Sequence, residues 1–506
     1  MASQTKPHRA IIFPFMAQGH TLPSLDLSNA LSRRGILVTI VTTPANAARI
    51  ALTVTQYPNI TIHVIPFPRV DGIPRGCEST DQLTSKDQFL PFLRASLELK
   101  NPFESFIRDI IETGSPPICV ITDMFLGWAL DICESLSVPG LVFHSMNVLS
   151  SAIARMGFLH AATIKSASET EHITLPGLEA PFPLARSDFS EVIIDNNPII
   201  EFLIEIGDVD RSCSGYLINS FEELDGGYLG LLKSTYQGDD TKAWCVGPLL
   251  LYDDALQGTE HEFPTARSKR ESLTTGALEH EHVQESEVEA PEYIKWLDRF
   301  DEPDSVIYIS FGTQAYMSDN RMDEVVLGLA MADHPFLWVV KSDTWRPPTR
   351  WEEFFEGKGL VVTEWVEQRR ILAHPAIGGF FSHCGWNSTL ESLTAGVPLL
   401  CWPMGAEQPL NMKLVVNVLE AGVSIYAGKD HGEIVESDDI CDGIKKLMGE
   451  KTGKLARERA REISRMARRA VQEGGSSSKN LDLFIKCLTD SGTNGQMHSS
   501  VYILQK

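Results

Sequence analysis

Short, nearly unbroken apolar runs alternate along this chain with stretches in which apolar residues recur every three or four positions. The first run covers residues 10–15, and Met16-Ala17-Gln18-Gly19-His20 reads as the loop after it. Leu22, Leu25, Leu27, Ala30 and Leu31 then mark a helix that stops at Arg33-Arg34-Gly35. Further runs at 37–41, 61–66, 119–122, 141–143 and 216–218 keep the rhythm. It restarts at 305–310, with strands expected at 336–340, 360–362, 379–382, 398–402 and 423–426. Strands that are apolar throughout belong to parallel sheets covered by helices on both faces, so two Rossmann-like α/β units in tandem are expected. Between them, residues 252–291 are polar, acidic and aperiodic and read as a linker or surface insertion. His280 and His282 lie there among glutamates and read as part of a solvated charge run rather than as metal ligands. The chain closes with a charged amphipathic helix over 451–473, a break at Gly474-Gly475-Ser476, a second amphipathic segment over 480–488 and a tail.

Length and charge narrow the function classes. A chain of 506 residues exceeds one ordinary core, which supports the two-unit reading. Hydrophobic residues make up 43% and charged residues 22%, as in ordinary globular proteins. A formal net charge of −23 makes nucleic acid and anionic membranes poor partners. The nine cysteines include no C-x-x-C pair, and several sit inside apolar runs such as Ile118-Cys119-Val120. They read as reduced, buried thiols of a cytoplasmic protein rather than a disulfide frame or a zinc site. The N-terminus is read as neither signal peptide nor membrane anchor, and no later run is long enough to span a bilayer.

Candidate chemistry concentrates in residues 365–408. A strand at 378–382 empties into the turn His383-Cys384-Gly385-Trp386-Asn387-Ser388, and a helix follows through Thr389, Leu390, Glu391 and Leu393 to Gly396-Val397-Pro398. Free N–H groups and the positive end of the helix dipole make such a junction an anion site, with phosphate the natural guest. Trp365 offers a flat face for a base, Glu391 a carboxylate for ribose hydroxyls, and Glu407 and Gln408 polar groups for a sugar. Cys384 reads either as a small residue permitting close approach or as a low-pKa thiol. Trp402, inside an apolar run, is expected to pack. In the first half, His20 follows the first strand, where loops face a ligand site. Asp123, at the end of the strand 119–122, could orient a histidine base or simply cap the next helix. Asp131 is the weaker rival. No Asp-x-Asp pair stands at a strand end, so no metal is expected. Pro14-Phe15-Met16-Ala17-Gln18-Gly19 is not the G-x-G-x-x-G turn that a nicotinamide oxidoreductase needs.

The stretch 365–408 closely resembles the signature PSPG box of plant secondary-product UDP-glycosyltransferases, with its Trp, Gln, His, H-C-G-W-N-S, Glu, G-V-P, W-P and final acidic-Gln positions all filled. Other segments resemble the same family: P-F-M-A-Q-G-H, T-T-P-A-N, V-I-T-D-M-F-L-G-W, N-S-F-E-E-L-D, V-G-P-L, S-V-I-Y-I-S-F-G-T and F-L-W-V-V-K. The resemblance implies the GT-B fold, two facing Rossmann-like domains with parallel sheets and a cleft between them. Residues 1–250 would bind the acceptor, 251–291 link, 292–478 bind the UDP-sugar, 479–490 cross back as a helix, and 491–506 trail. It implies His20 as general base with Asp123 as its partner. Gly19, Gly312, Thr313, Trp365, Val366, Gln368, His383, Gly385, Trp386, Asn387, Ser388, Glu391, Glu407 and Gln408 would then contact the UDP-sugar. By position, Phe15, Met16, Phe89, Phe125, Met146 and Phe202 would line the acceptor pocket. The implied reaction is inverting transfer of glucose, with Gln408 and Trp386 favouring that donor, to small lipophilic acceptors such as flavonoids and phenols. A C-glycosyltransferase and a non-catalytic nucleotide-sugar binder are the alternatives. No metal, no nucleic acid, no membrane insertion and a monomeric state complete the expectation. Thr313, Glu407 and Lys341 are the departures from commoner residues of the family.

Overall fold

The computed structural model describes residues 7–168, 171–195, 197–205, 213–236, 242–252, 290–312, 317–342, 345–346, 355–426 and 434–491. The linker with His280 and His282, Thr313 and the tail beyond 491 lie outside these residues. The chain forms two compact units, 1–257 with 467–506, and 258–466.

The first unit is built on a parallel sheet of β1 (Arg9–Phe13), β2 (Leu37–Thr42), β3 (Ile60–Val64), β4 (Cys119–Thr122), β5 (Gly140–His144), β6 (Tyr216–Ile218) and β7 (Ala243–Cys245). Their order is β3-β2-β1-β4-β5-β6-β7. β4 and β5 are buried at every position, as their unbroken apolar runs require. β1 ends at Phe13, earlier than its apolar run suggests, because Pro14 has no N–H for the ladder. β7 was not legible: Ala-Trp-Cys is too short to show a period. Helix α1 (Gln18–Ser32) begins with Ala17 extended at its N-cap. Gln18-Gly19-His20 is therefore its first turn and not a loop. The first N–H groups of a helix have no internal acceptor, so no apolar residue is needed there and periodicity starts only at Leu22. Helix α2 (Val148–Leu159) follows β5. Its open N–H groups are closed by the Asn147 side chain, which accepts from Ser150 at 2.7 Å, and by buried Asp225, which accepts from Val148 at 2.6 Å.

The second unit carries a six-stranded parallel sheet in the order β10-β9-β8-β11-β12-β13. Its strands are β8 (Val306–Ser310), β9 (Phe336–Val339), β10 (Gly359–Val362), β11 (Ile377–Ser382), β12 (Leu399–Cys401) and β13 (Gly422–Ser424), all at expected runs. Helix α3 (Trp386–Ala395) takes in Trp386, Asn387 and Ser388, residues expected in the turn before it. It stops at Gly396, whose φ of 77° is left-handed. Helix α4 (Gln408–Lys413) follows β12. In both sheets the strand order reverses beside the first strand, between β1 and β4 and between β8 and β11. Crevices at such reversals are where open α/β sheets bind ligands.

Helix α5 (Lys451–Val471) holds the boundary between the units, and α6 (Ser476–Ser491) packs on the first unit. Arg34 donates to Asp482 at 2.7 Å, Asn480 donates to the Cys245 carbonyl at 3.0 Å, and Phe484 meets Trp244 with ring centroids 5.4 Å apart. No helix of the described residues is long and apolar enough to cross a membrane.

Candidate functional site

In the first unit, β1 and β4 pair with Phe13 opposite Thr122, so the residues just beyond their ends are neighbours. His20, in the first turn of α1, and Asp123, just past β4, meet there: His20 Nδ1 lies 2.7 Å from Asp123 Oδ2. Asp123 is buried, at 4% exposure, while the His20 side chain keeps 23%. The other carboxylate oxygen, Oδ1, accepts the N–H of Phe125 at 3.0 Å. Orienting the histidine and capping the following turn, posed as alternatives above, are thus shared between two oxygens of one side chain. Asp131 is exposed on the helix Trp128–Ser135.

An aromatic wall flanks the imidazole. Phe15 and Phe125 lie 5.7 and 5.6 Å from the His20 ring, and 4.9 Å from each other. Phe89 stands edge-on to Phe125 at 6.3 Å. Phe15, Met16 and Phe202 are buried in one core cluster, whereas Phe89, Phe125 and Met146 are half-buried. Phe92, 5.9 Å from Phe15, belongs to the same cluster and was not singled out by sequence reasoning.

His144, at the end of β5, was also missed. It is buried, stacks on Tyr216 at 5.4 Å and shares a hydrogen bond of 3.1 Å with the Tyr236 hydroxyl. Burial pushes its pKa down to about 4, against the pull of the Asp123 charge. A histidine inside an apolar strand carries no signal that separates it from a core residue.

In the second unit the ends of β8 and β11 form the corresponding crevice. Gly312, with φ 79°, and Gly385 lie against the His383 ring. A Cβ on Gly312 would stand 2.7 Å from His383 Nε2, and one on Gly385 would stand 2.5 Å away. Burial lowers the His383 pKa to about 4, although the Ser310 backbone favours its charged form, so it is a neutral ring. Cys384 adopts φ 65°, unusual for a residue with a side chain. Its N–H donates to Ser382 Oγ at 3.1 Å and its carbonyl accepts from Asn411 Nδ2 at 2.9 Å, which ties the turn to α4. Burial raises the Cys384 thiol well above its ordinary range, so it stays protonated and the reactive-thiol reading fails. Gly385, the N-cap of α3, supplies no side-chain cap to the helix. Asn387 and Ser388 are half-buried in this first turn, and Trp386 is buried.

Beside α3 the polar side chains form a network. Gln368 Nε2 donates to Glu391 Oε2 at 2.7 Å and to Ser388 Oγ at 3.0 Å. Its amide oxygen accepts the Tyr308 hydroxyl at 3.1 Å. Arg369, which no sequence argument had marked, donates through Nε to Glu391 Oε1 at 3.0 Å. Trp365 is 73% exposed, extreme for an indole, while neighbouring Val366 is buried. Glu407 and Gln408 sit at the start of α4, half-buried, and Gln408 Oε1 accepts the Met404 N–H at 2.8 Å. Trp402 stacks on Phe381 at 5.7 Å and packs, as expected. Gly19 is exposed in the first turn of α1.

Comparison with known proteins agrees with this geometry. The glycosyltransferase N-terminal domain family matches residues 9–251, and the UDP-glucoronosyl and UDP-glucosyl transferase family matches 291–467. UDP-glycosyltransferases 90A1 and 73B4 of Arabidopsis thaliana are each 34% identical, over 97% and 94% of this chain and 98% and 97% of their own. Among solved structures, UGT73P12 of Glycyrrhiza uralensis, complexed with glycyrrhetinic acid 3-O-monoglucuronide, is 28% identical with a TM-score of 0.80, covering 97% of each chain. Two Rossmann-like parallel sheets and these relatives make the fold GT-B. The chain belongs to the plant UDP-glycosyltransferase family and is a glycosyltransferase enzyme.

Proposed function

We propose that the enzyme transfers glucose from UDP-glucose to a hydroxyl of a small lipophilic acceptor, a phenol or flavonoid, with inversion to the β-glucoside. The observation that carries this reading is the 2.7 Å contact between His20 and Asp123 at the strand-order reversal of the first unit. With Nδ1–H donated to the carboxylate, Nε2 carries the lone pair and takes the acceptor proton. Asp123 then stabilises the imidazolium as it forms. The acceptor oxygen attacks the anomeric carbon from the face opposite UDP; the C–O bond to the diphosphate breaks, and the α-linked sugar becomes β-linked. Phe89 and Phe125, half-buried beside His20, suit a flat aromatic acceptor.

The leaving diphosphate would sit at the N-terminus of α3, where the helix presents roughly half a positive charge. Asn387, Ser388 and neutral His383 would add hydrogen bonds there, with Gly385 and Gly312 lining the approach. Trp365 would stack on uracil beside Val366, Gln368 and Glu391 would hold the ribose side, and Trp386, Glu407 and Gln408 would meet the sugar. With the helix balancing phosphate charge, the chemistry runs without a bound metal. A cytosolic location fits nine free cysteines.

The test is incubation of the protein with UDP-glucose and a panel of phenols, followed by product mass and anomeric proton NMR. Acid-labile hexose adducts with β coupling are expected. Adducts with retained α configuration, or none with any acceptor despite UDP binding, would overturn the reading.

A further inference from the structure

We propose that Arg369 is a positioning residue that shapes the Glu391 carboxylate into a fixed acceptor for the vicinal 2′- and 3′-hydroxyls of the nucleotide ribose. The inference rests on the reading that the nucleoside of the donor binds beside Trp365 and Glu391. Its basis is how the carboxylate is held. Glu391 is nearly buried, and its two oxygens are engaged separately: Arg369 Nε donates to Oε1 at 3.0 Å and Gln368 Nε2 donates to Oε2 at 2.7 Å. Gln368 is itself anchored, accepting from Tyr308 Oη at 3.1 Å and donating to Ser388 Oγ at 3.0 Å. Burial keeps the Tyr308 hydroxyl protonated and able to donate. The carboxylate plane is therefore fixed from both sides.

An ionised carboxylate has about four lone-pair directions, two on each oxygen. One on each is taken by the protein, which leaves one on each for a ligand. Two acceptors on adjacent oxygens in a fixed plane match a pair of hydroxyls on neighbouring carbons. A single hydroxyl uses half of the arrangement. Without Arg369 the Oε1 side is released and the carboxylate can turn about its terminal torsion, which is soft.

The test is calorimetric binding of UDP and of 2′-deoxy-UDP to wild type, Arg369→Ala and Arg369→Lys. A hydrogen bond to a charged group carries roughly a tenfold or larger discrimination, so wild type should prefer UDP by about that factor. Arg369→Ala should weaken UDP by about five- to tenfold and leave 2′-deoxy-UDP within about twofold, so the preference collapses; Arg369→Lys should restore part of it. Equal weakening of both ligands, or an unchanged preference, overturns the role of Arg369. Wild type binding both equally means that the ribose does not meet Glu391, and failure to bind UDP at all removes the donor-site reading itself.

Discussion

His144, the last residue of β5, and His383, just past β11, are both neutral because burial disfavours the imidazolium. In the unfolded chain each would take a proton near pH 6.5, and in the folded protein only near 4. Folding stability from these two rings is therefore complete above pH 6.5 and is lost as pH falls toward 4. Asp225 works the other way. Burial raises it from 3.8 to about 6 despite its bonds to Ser220, Leu149 and Val148, so its contribution is present below 3.8 and lost as pH rises through 6. Two histidines outweigh one carboxylate between 4 and 6, so the urea midpoint should fall on acidification across that window. His144→Asn should make the fall shallower; a midpoint flat from pH 7 to 4.5 would contradict the assignment. None of this was legible in sequence. His383 was marked for its position in a motif and His144 not at all, because neutrality comes from surroundings that long-range packing assembles.

At the scale of elements, reading fared best where a strand is fully buried and worst at junctions. All six strands of the second sheet were visible as apolar runs, since a parallel strand covered on both faces can tolerate little else. Helix starts were placed too late at α1, α3 and α6, because first turns are polar and carry no period. These first turns hold His20, Asn387 and Ser388, so the late starts fall on candidate site residues. The turn chemistry at Gly312 was legible only as a motif; its reason is spatial. Left-handed φ and the His383 ring both exclude a side chain there. Gly312→Ala should cost about 1–2 kcal/mol in backbone strain alone and displace His383. UDP affinity should fall at least about fivefold, with calorimetry as the check; unaltered affinity would show that His383 plays no part in holding the donor.

The whole molecule is two doubly wound units, each with candidate site residues beside its strand-order reversal. The sequence could not show that Arg369 reaches Glu391 or that Phe92 backs the aromatic wall, since neither residue type nor spacing distinguishes them from their neighbours. Completion of the first unit by the last helix is equally a matter of packing. Phe484 is 1% exposed and meets Trp244 of β7. Phe484→Ala should destabilise the first unit by about 3–5 kcal/mol, seen as a lower urea midpoint for that unit's transition, with the second unit's transition unmoved. Coincident shifts of both would mean that the units unfold as one.

The central claim is that His20, oriented by Asp123, is the base for transfer from a UDP-sugar. The most direct measurement is kcat for glucosyl transfer to a phenol by wild type, His20→Ala and Asp123→Asn, alongside UDP affinity by calorimetry. A loss of about a hundredfold or more in kcat is expected for both variants, with UDP affinity within about twofold of wild type. Transfer at near wild-type rate by His20→Ala, with UDP still bound, would contradict it.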